Sequence, residues 1–279
     1  MIHVEQAIRR VQRDVVIVWV MHILLAMAVI AALVGGSAIG IPPILLAAIP
    51  CILWVLLAVN GVRETRTALQ WPTLIASGQL DEAERQIERS IRGFTVLRSV
   101  KLLSLHQLAV VKMAKRQWSD ALKLSKAIAG HRLPKDQALE RASTLVLAGA
   151  AVQSGAMQDA YIAINRLRVM PLTLEEKLSL LLIECTYCGR LGAWAQLMEG
   201  LRDKLRLAEL TPTELAAQIQ GWLALAARNC GRKDWADYLI ERCQLLMDPN
   251  DLRLLEPAFN ELWEASGDNT VNDRGVNPV

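Results

Sequence analysis

Gly78-Gln79-Leu80-Asp81-Glu82-Ala83 is the first of five similar segments in this chain of 279 residues. The others are Arg116-Gln117-Trp118-Ser119-Asp120-Ala121, Gly155-Ala156-Met157-Gln158-Asp159-Ala160, Gly192-Ala193-Trp194-Ala195-Gln196-Leu197 and Lys233-Asp234-Trp235-Ala236-Asp237-Tyr238. Measured between their large apolar residues, the copies are 38, 39, 37 and 41 residues apart. A near-constant period of this size marks stacked supersecondary units. Each segment lies between two stretches of helical apolar periodicity, so each unit reads as a helix pair joined by a turn. The Gly or basic residue ends the first helix, the bulky residue fills the gap, and an acid sits in the first turn of the second helix, where the dipole favours it.

Other marks fall in phase. Pro134, Pro171, Pro212 and Pro249 lie near the unit boundaries, where proline stops one helix or starts the next. Thr173 with Glu176 and Thr211 with Glu214 read as capping boxes. Ala109, Ala148, Cys185 and Ala226 stand seven residues before the segments, small enough to let paired helices approach closely, whereas Trp71 breaks this pattern in the first unit. From Asp248 to Ala265 an apolar stripe of Leu252, Leu255, Phe259, Leu262 and Trp263 suggests a capping helix, opened by Asp248 and Pro249 and bent by Pro257.

The turn of the form Gly-x-bulky-x-acid-Ala, the small residue in the first helix and the boundary proline together resemble the tetratricopeptide (TPR) repeats, over about residues 70–248. The period is longer than the roughly 34 residues usual in that family. The resemblance implies a right-handed α-solenoid of about five helix pairs, whose concave face commonly binds a protein or peptide. On that face the sequence places Leu103, His106, Val110, Leu145, Gly149, Leu182, Thr186, Gln220 and Leu223. The row is largely apolar and lacks the Asn, Lys and Arg of members that clamp a terminal carboxylate, so either an apolar or amphipathic helix docks there or the groove is narrow and filled by its own side chains.

The N-terminal quarter differs. No charged side chain occurs from Val15 to Val62, and Gly35, Gly36, Gly40, Pro42 and Pro43 interrupt the run. About 20 apolar residues cross a bilayer core. The reading is a transmembrane helical hairpin, with spans near Val15–Val34 and Pro43–Val59 and a kink at Pro50. Arg9, Arg10 and Arg13 precede it, Arg63 and Arg66 follow it, and the connecting loop is uncharged, so both termini are expected in the cytoplasm. Trp19 and Trp54 would then share the cytoplasmic interface, and His22, with no second His or carboxylate nearby, reads as bonded to a neighbouring helix or headgroup. The expected organisation of this all-α chain is a cytoplasmic segment (1–14), the hairpin (15–62), the helical repeats (63–265) and a disordered tail (266–279).

Net charge is +3, unevenly spread: residues 85–135 carry 12 Lys or Arg against Glu88 and Asp120, a net of +10, and residues 136–279 carry 14 against 20, a net of −6. The basic block reads as a solvated helix face or as a contact for anionic headgroups, and less well as a nucleic-acid site, since exposed aromatics do not alternate with its charges. Five cysteines in a chain this long form no disulfide framework. Cys185, Cys188, Cys230 and Cys243 could gather on zinc or act as a thiol sensor, but Cys185 holds a small-residue packing position on a continuous helix. No phosphate loop, nucleophile elbow, zinc-protease or dinucleotide motif is present, so neither an enzyme nor a cofactor is expected. The sequence thus points to a scaffold of the bacterial inner membrane that holds a protein or peptide partner on its cytoplasmic face.

Overall fold

The computed structural model describes residues 3–39, 48, 51–52, 54–56, 59, 71–93, 98–131 and 137–264. Gly40, Pro42, Pro43, Pro50, Arg63, Arg66, Pro134 and the tail 266–279 lie outside them. The described residues are helical outside short turns, and none forms a strand. They divide into two compact units, Met1–Gly155 and Ala156–Val279.

The first unit holds α1 (Val4–Ile39), α2 (Trp71–Ala76), α3 (Leu80–Arg92), α4 (Arg98–Ala114), α5 (Trp118–Ala129) and α6 (Gln137–Gln153). From α2 to α6 each helix packs on its chain neighbour, and α4 also packs on α6. Ala83, Ile87 and Ile91 of α3 meet Leu102, Leu105, Leu108 and Ala109 of α4 and Leu124 and Ile128 of α5 in one core. The i, i+4 spacing of Ala83, Ile87 and Ile91 sets them on one face of α3 while Asp81, Arg85 and Arg89 stay in water.

The second unit holds α7 (Met157–Arg168), α8 (Leu174–Arg190), α9 (Trp194–Met198), α10 (Leu201–Ala208), α11 (Thr213–Asn229), α12 (Lys233–Leu246), α13 (Pro249–Leu255), a 3-10 turn (Pro257–Phe259) and α14 (Asn260–Glu264). Its centre is α11, with Ala216, Ala217 and Ile219 to Ala227 all buried. Gly189 of α8 lies under the Trp222 ring, and Trp222 meets Phe259 edge-on with centroids 5.1 Å apart. The C-terminal cap is thereby keyed into the core.

The five turns are built alike. Gly78, Arg116, Gly155, Gly192 and Gly231 all have φ between 58° and 79°, the left-handed region. At the first, second, fourth and fifth turns the next residue's N–H reaches the carbonyl five residues back, as in Gln79 to Leu74 and Arg232 to Ala227. That is the Schellman closure of a helix end. The following helix starts two residues after the left-handed one, at Leu80, Trp118, Met157, Trp194 and Lys233. This fixes the register of the fifth copy, which the Trp235 alignment sets two residues late. Counted from the left-handed residue the repeats are 38, 39, 37 and 39 apart, and the fifth position beyond it holds Ala83, Ala121, Ala160, Leu197 and Ala236, each at most 3% exposed. Trp235, though half-buried, therefore occupies a different slot from Leu80, Trp118, Met157 and Trp194, which is taken instead by the exposed Lys233.

Four further expectations change. The helix runs through Gly35 and Gly36 to Ile39. Thr173 and Glu176 do form a capping box, but Thr211 turns back to the Ala208 carbonyl at 2.7 Å and extended Pro212 caps α11 instead. Gly200, at φ 63°, splits the second helix of the fourth pair into α9 and α10. Pro257 breaks rather than bends the cap, because Glu256 before it is extended.

Candidate functional site

The base of α1 carries buried charge in the first unit. Val4, Ala7 and Val11, spaced for one helix face, are buried in the core of α3, α4 and α5. Asp14 follows on the same face, 4% exposed. Above it the helix leaves the core: Val16, Trp19, Leu24, Met27 and Ile30 are 58–68% exposed. Residues 4–14 thus run without a break into the long apolar helix and form its root. His22 of α1 bonds the Val18 carbonyl at 2.7 Å and meets the Trp54 ring edge-on at 4.3 Å. All seven described residues between Ala48 and Val59 are helical.

Two cations fasten this root. Lys101 of α4, only 1% exposed, donates to the carbonyls of Ser90 and Ile91 at 3.4 and 2.8 Å and to that of Gly93, and its ammonium lies 3.3 Å from the Asp14 carboxylate. Arg10 donates from Nη2 to the Arg92 carbonyl at 2.7 Å. Both charges thus meet the open carbonyls at the C-terminal end of α3, the negative pole of its dipole. The opposite end of α3 is held by Glu84, whose buried carboxylate receives Lys112 at 2.7 Å and also Lys115, itself 2.6 Å from Asp81. Burial works to raise the Glu84 pKa, but hydrogen bonds from Lys112 and Lys115 outweigh it and hold the carboxyl below its ordinary range. Three lysines of the basic block, Lys101, Lys112 and Lys115, are therefore engaged inside the fold.

On the outer side of α1, Gln6, Arg9, Arg10 and Arg13 recur at i, i+3, i+4 and i+7, and with Arg92 they line an open cleft of about 590 Å³. A smaller cavity of about 170 Å³ is lined by Asp14, Val15, Val18, Trp19, His22, Arg98 and Lys101. In the second unit, a cleft of about 450 Å³ lies between α10 and α12, lined by Arg202, Leu205, Arg206, Glu209, Asp234, Trp235, Tyr238 and Arg242. Trp235 and Tyr238 meet edge-on at 6.0 Å, and Arg242 is fixed over Tyr238 by Glu209 at 3.0 Å.

The residues expected on a concave face have mixed fates. Leu103, Val110, Leu145 and Leu182 are half-buried, and Gly149 and Thr186 are buried. Gln220 and Leu223, 1% and 0% exposed, are interior residues of the second unit and out of reach of a partner while it is folded. His106 is buried beside Ser143, 3.3 Å from its hydroxyl, and desolvation pushes its pKa down to about 4. Cys185, Cys188 and Cys243 are buried, Cys230 is exposed, and all are free thiols. Burial raises the Cys188 pKa and pushes Cys185 and Cys243 up to about 12, so these three are packing thiols rather than thiolates at neutral pH. Among the described residues no three His, Cys, Asp or Glu side chains are placed to hold one metal ion.

The two clefts were missed in the sequence. The arginine spacing on α1 was the available signal for the first, whereas the second depends on the break at Gly200, which leaves α10 beside α12. No family model matches this chain, and no curated protein or solved structure does so.

Proposed function

We propose that the chain is a membrane-anchored helical scaffold without catalysis of its own. The carrying observation is α1, whose first turns are core residues of the first unit and whose remainder, long and apolar enough to cross a membrane, leaves large apolar side chains uncovered. A water-soluble monomer rarely exposes so continuous an apolar surface. In this reading residues 15–62 form the two-span hairpin in a bacterial inner membrane, and the arginines flanking it keep both termini cytoplasmic. The His22–Trp54 ring contact supports a second apolar helix beside the first.

The five similar turns, with first helices packed on each other within each unit (α4 on α6, α8 on α11), support the TPR-like right-handed solenoid. Its partner is a protein or peptide segment that brings an apolar side chain to Trp235 and Tyr238 and a carboxylate to Arg202 and Arg206. Anchoring raises the effective concentration of such a partner at the membrane, so modest affinity suffices. Photo-crosslinking from position 238 of the full-length protein in native membranes tests this. The expected result is a discrete crosslinked protein, lost when Trp235 is replaced by Ala. Absence of any specific adduct from position 238 and from Leu103, Val110, Leu145 and Leu182, with the fold intact, would contradict a scaffold.

A further inference from the structure

We propose that Arg9, Arg10, Arg13 and Arg92 form a site for the phosphate of an anionic phospholipid headgroup, an inference that rests on α1 crossing a membrane. The depth is right. Arg13 is two residues before Val15, where the charge-free stretch starts, and Gln6 to Arg13 rises roughly 10 Å at about 1.5 Å per residue. That covers the headgroup layer, about 5–8 Å thick on each side of the hydrocarbon.

The chemistry fits as well. Guanidinium presents a planar fork that matches phosphate oxygens, and the cleft gathers four of them with one amide and no carboxylate in its lining. The nearest acids satisfy them incompletely: Glu5 is 3.5 Å from Arg9, Asp14 3.8 Å from Arg13 and Glu88 3.8 Å from Arg92. Each contact is longer than the roughly 2.7–2.9 Å of a formed charge-assisted bond. Asp14 is moreover shared with the buried Lys101. Arg10 spends one donor on the Arg92 carbonyl, which holds its side chain in place, while its Nε is buried with no acceptor among the described residues. The site is preorganised because α1 and the end of α3 are already pinned by Lys101. A lipid bound there bridges the root of the anchor and the first helix pair.

The test uses full-length protein in detergent and native mass spectrometry, with equimolar dioleoylphosphatidylglycerol and dioleoylphosphatidylcholine competing, and inorganic phosphate in a separate arm. Wild type should retain phosphatidylglycerol about tenfold or more over phosphatidylcholine, and millimolar phosphate should not displace it. The variant R9Q/R13Q/R92Q, which keeps the Arg10 tie, should lose the preference, while R202Q/R206Q/R232Q, equal in charge, should keep it. No preference in wild type, a preference surviving in the first variant, equal loss in both, or displacement by free phosphate would overturn the site. Alkaline extraction of membranes separates this from the parent reading: protein that stays in the pellet without lipid preference refutes the site alone, whereas protein released to the supernatant refutes the anchor.

Discussion

Arg116 is the one non-glycine residue of positive φ among those described, and it occupies the same turn position as four glycines. An L side chain there costs about 1–2 kcal/mol of backbone strain, partly offset by the larger chain entropy that glycine loses on folding. Arg116→Gly should therefore stabilise the first unit by up to about 1 kcal/mol, read as a higher urea midpoint. The opposite sign holds at Gly189, where an added Cβ would stand 2.1 Å from the Trp222 ring, 2% exposed and itself keyed to Phe259. Gly189→Ala should cost about 3 kcal/mol by overpacking, with loss of near-ultraviolet signal from the second unit. His106 gives a pH dependence. Its folded pKa of about 4 lies below the ordinary 6.5, so between these values the unfolded chain binds a proton that the folded one refuses. Its contribution is complete above pH 6.5 and declines as pH falls toward 4, by about 2 kcal/mol between pH 7 and 5. Urea titrations of His106→Gln should show a shallower decline over that window than wild type; identical slopes would reject the assignment.

At the scale of the element, α3 is held at both ends by buried charge: Glu84 with Lys112 near its start, Lys101 with Asp14 at its finish. Removing one member leaves the other buried without its countercharge, which typically costs about 3–5 kcal/mol. Asp14→Asn should cost about 3 kcal/mol and loosen α1 from α3, seen as faster amide exchange at Val4–Val11. The same logic explains what was legible in the sequence. The turns could be read because a left-handed helix end demands glycine, and four of the five have it. The fifth falls out of register when Trp235 is matched on bulk, because backbone geometry selects Gly231. The root of α1 was hidden because Val4, Ala7 and Val11 are small, few and interleaved with arginines, so their apolar face emerges only when α3 and α4 are present to cover it. The arginine stripe of the first cleft is a local pattern, but its pairing with Arg92 is not, and the second cleft needs residues from two helices that no local pattern pairs.

At the scale of the whole molecule, α1 joins its long apolar stretch to the core of the first unit without a break in the helix. A single helix continues from core residue Val4 past the exposed Ile30, so under the proposed anchoring any tilt of this helix would carry the first unit with it. Inserting three glycines after Asp14 should leave membrane attachment intact while uncoupling the two. Fluorescence anisotropy decay of a probe on the first unit would then show faster local motion. Most direct is site-directed spin labelling of full-length protein in liposomes, one label at a time from Val16 to Ala31. The account predicts high accessibility to oxygen and low accessibility to a water-soluble nickel chelate along this stretch, with oxygen accessibility rising toward its middle. Free access of the chelate to these positions would contradict it.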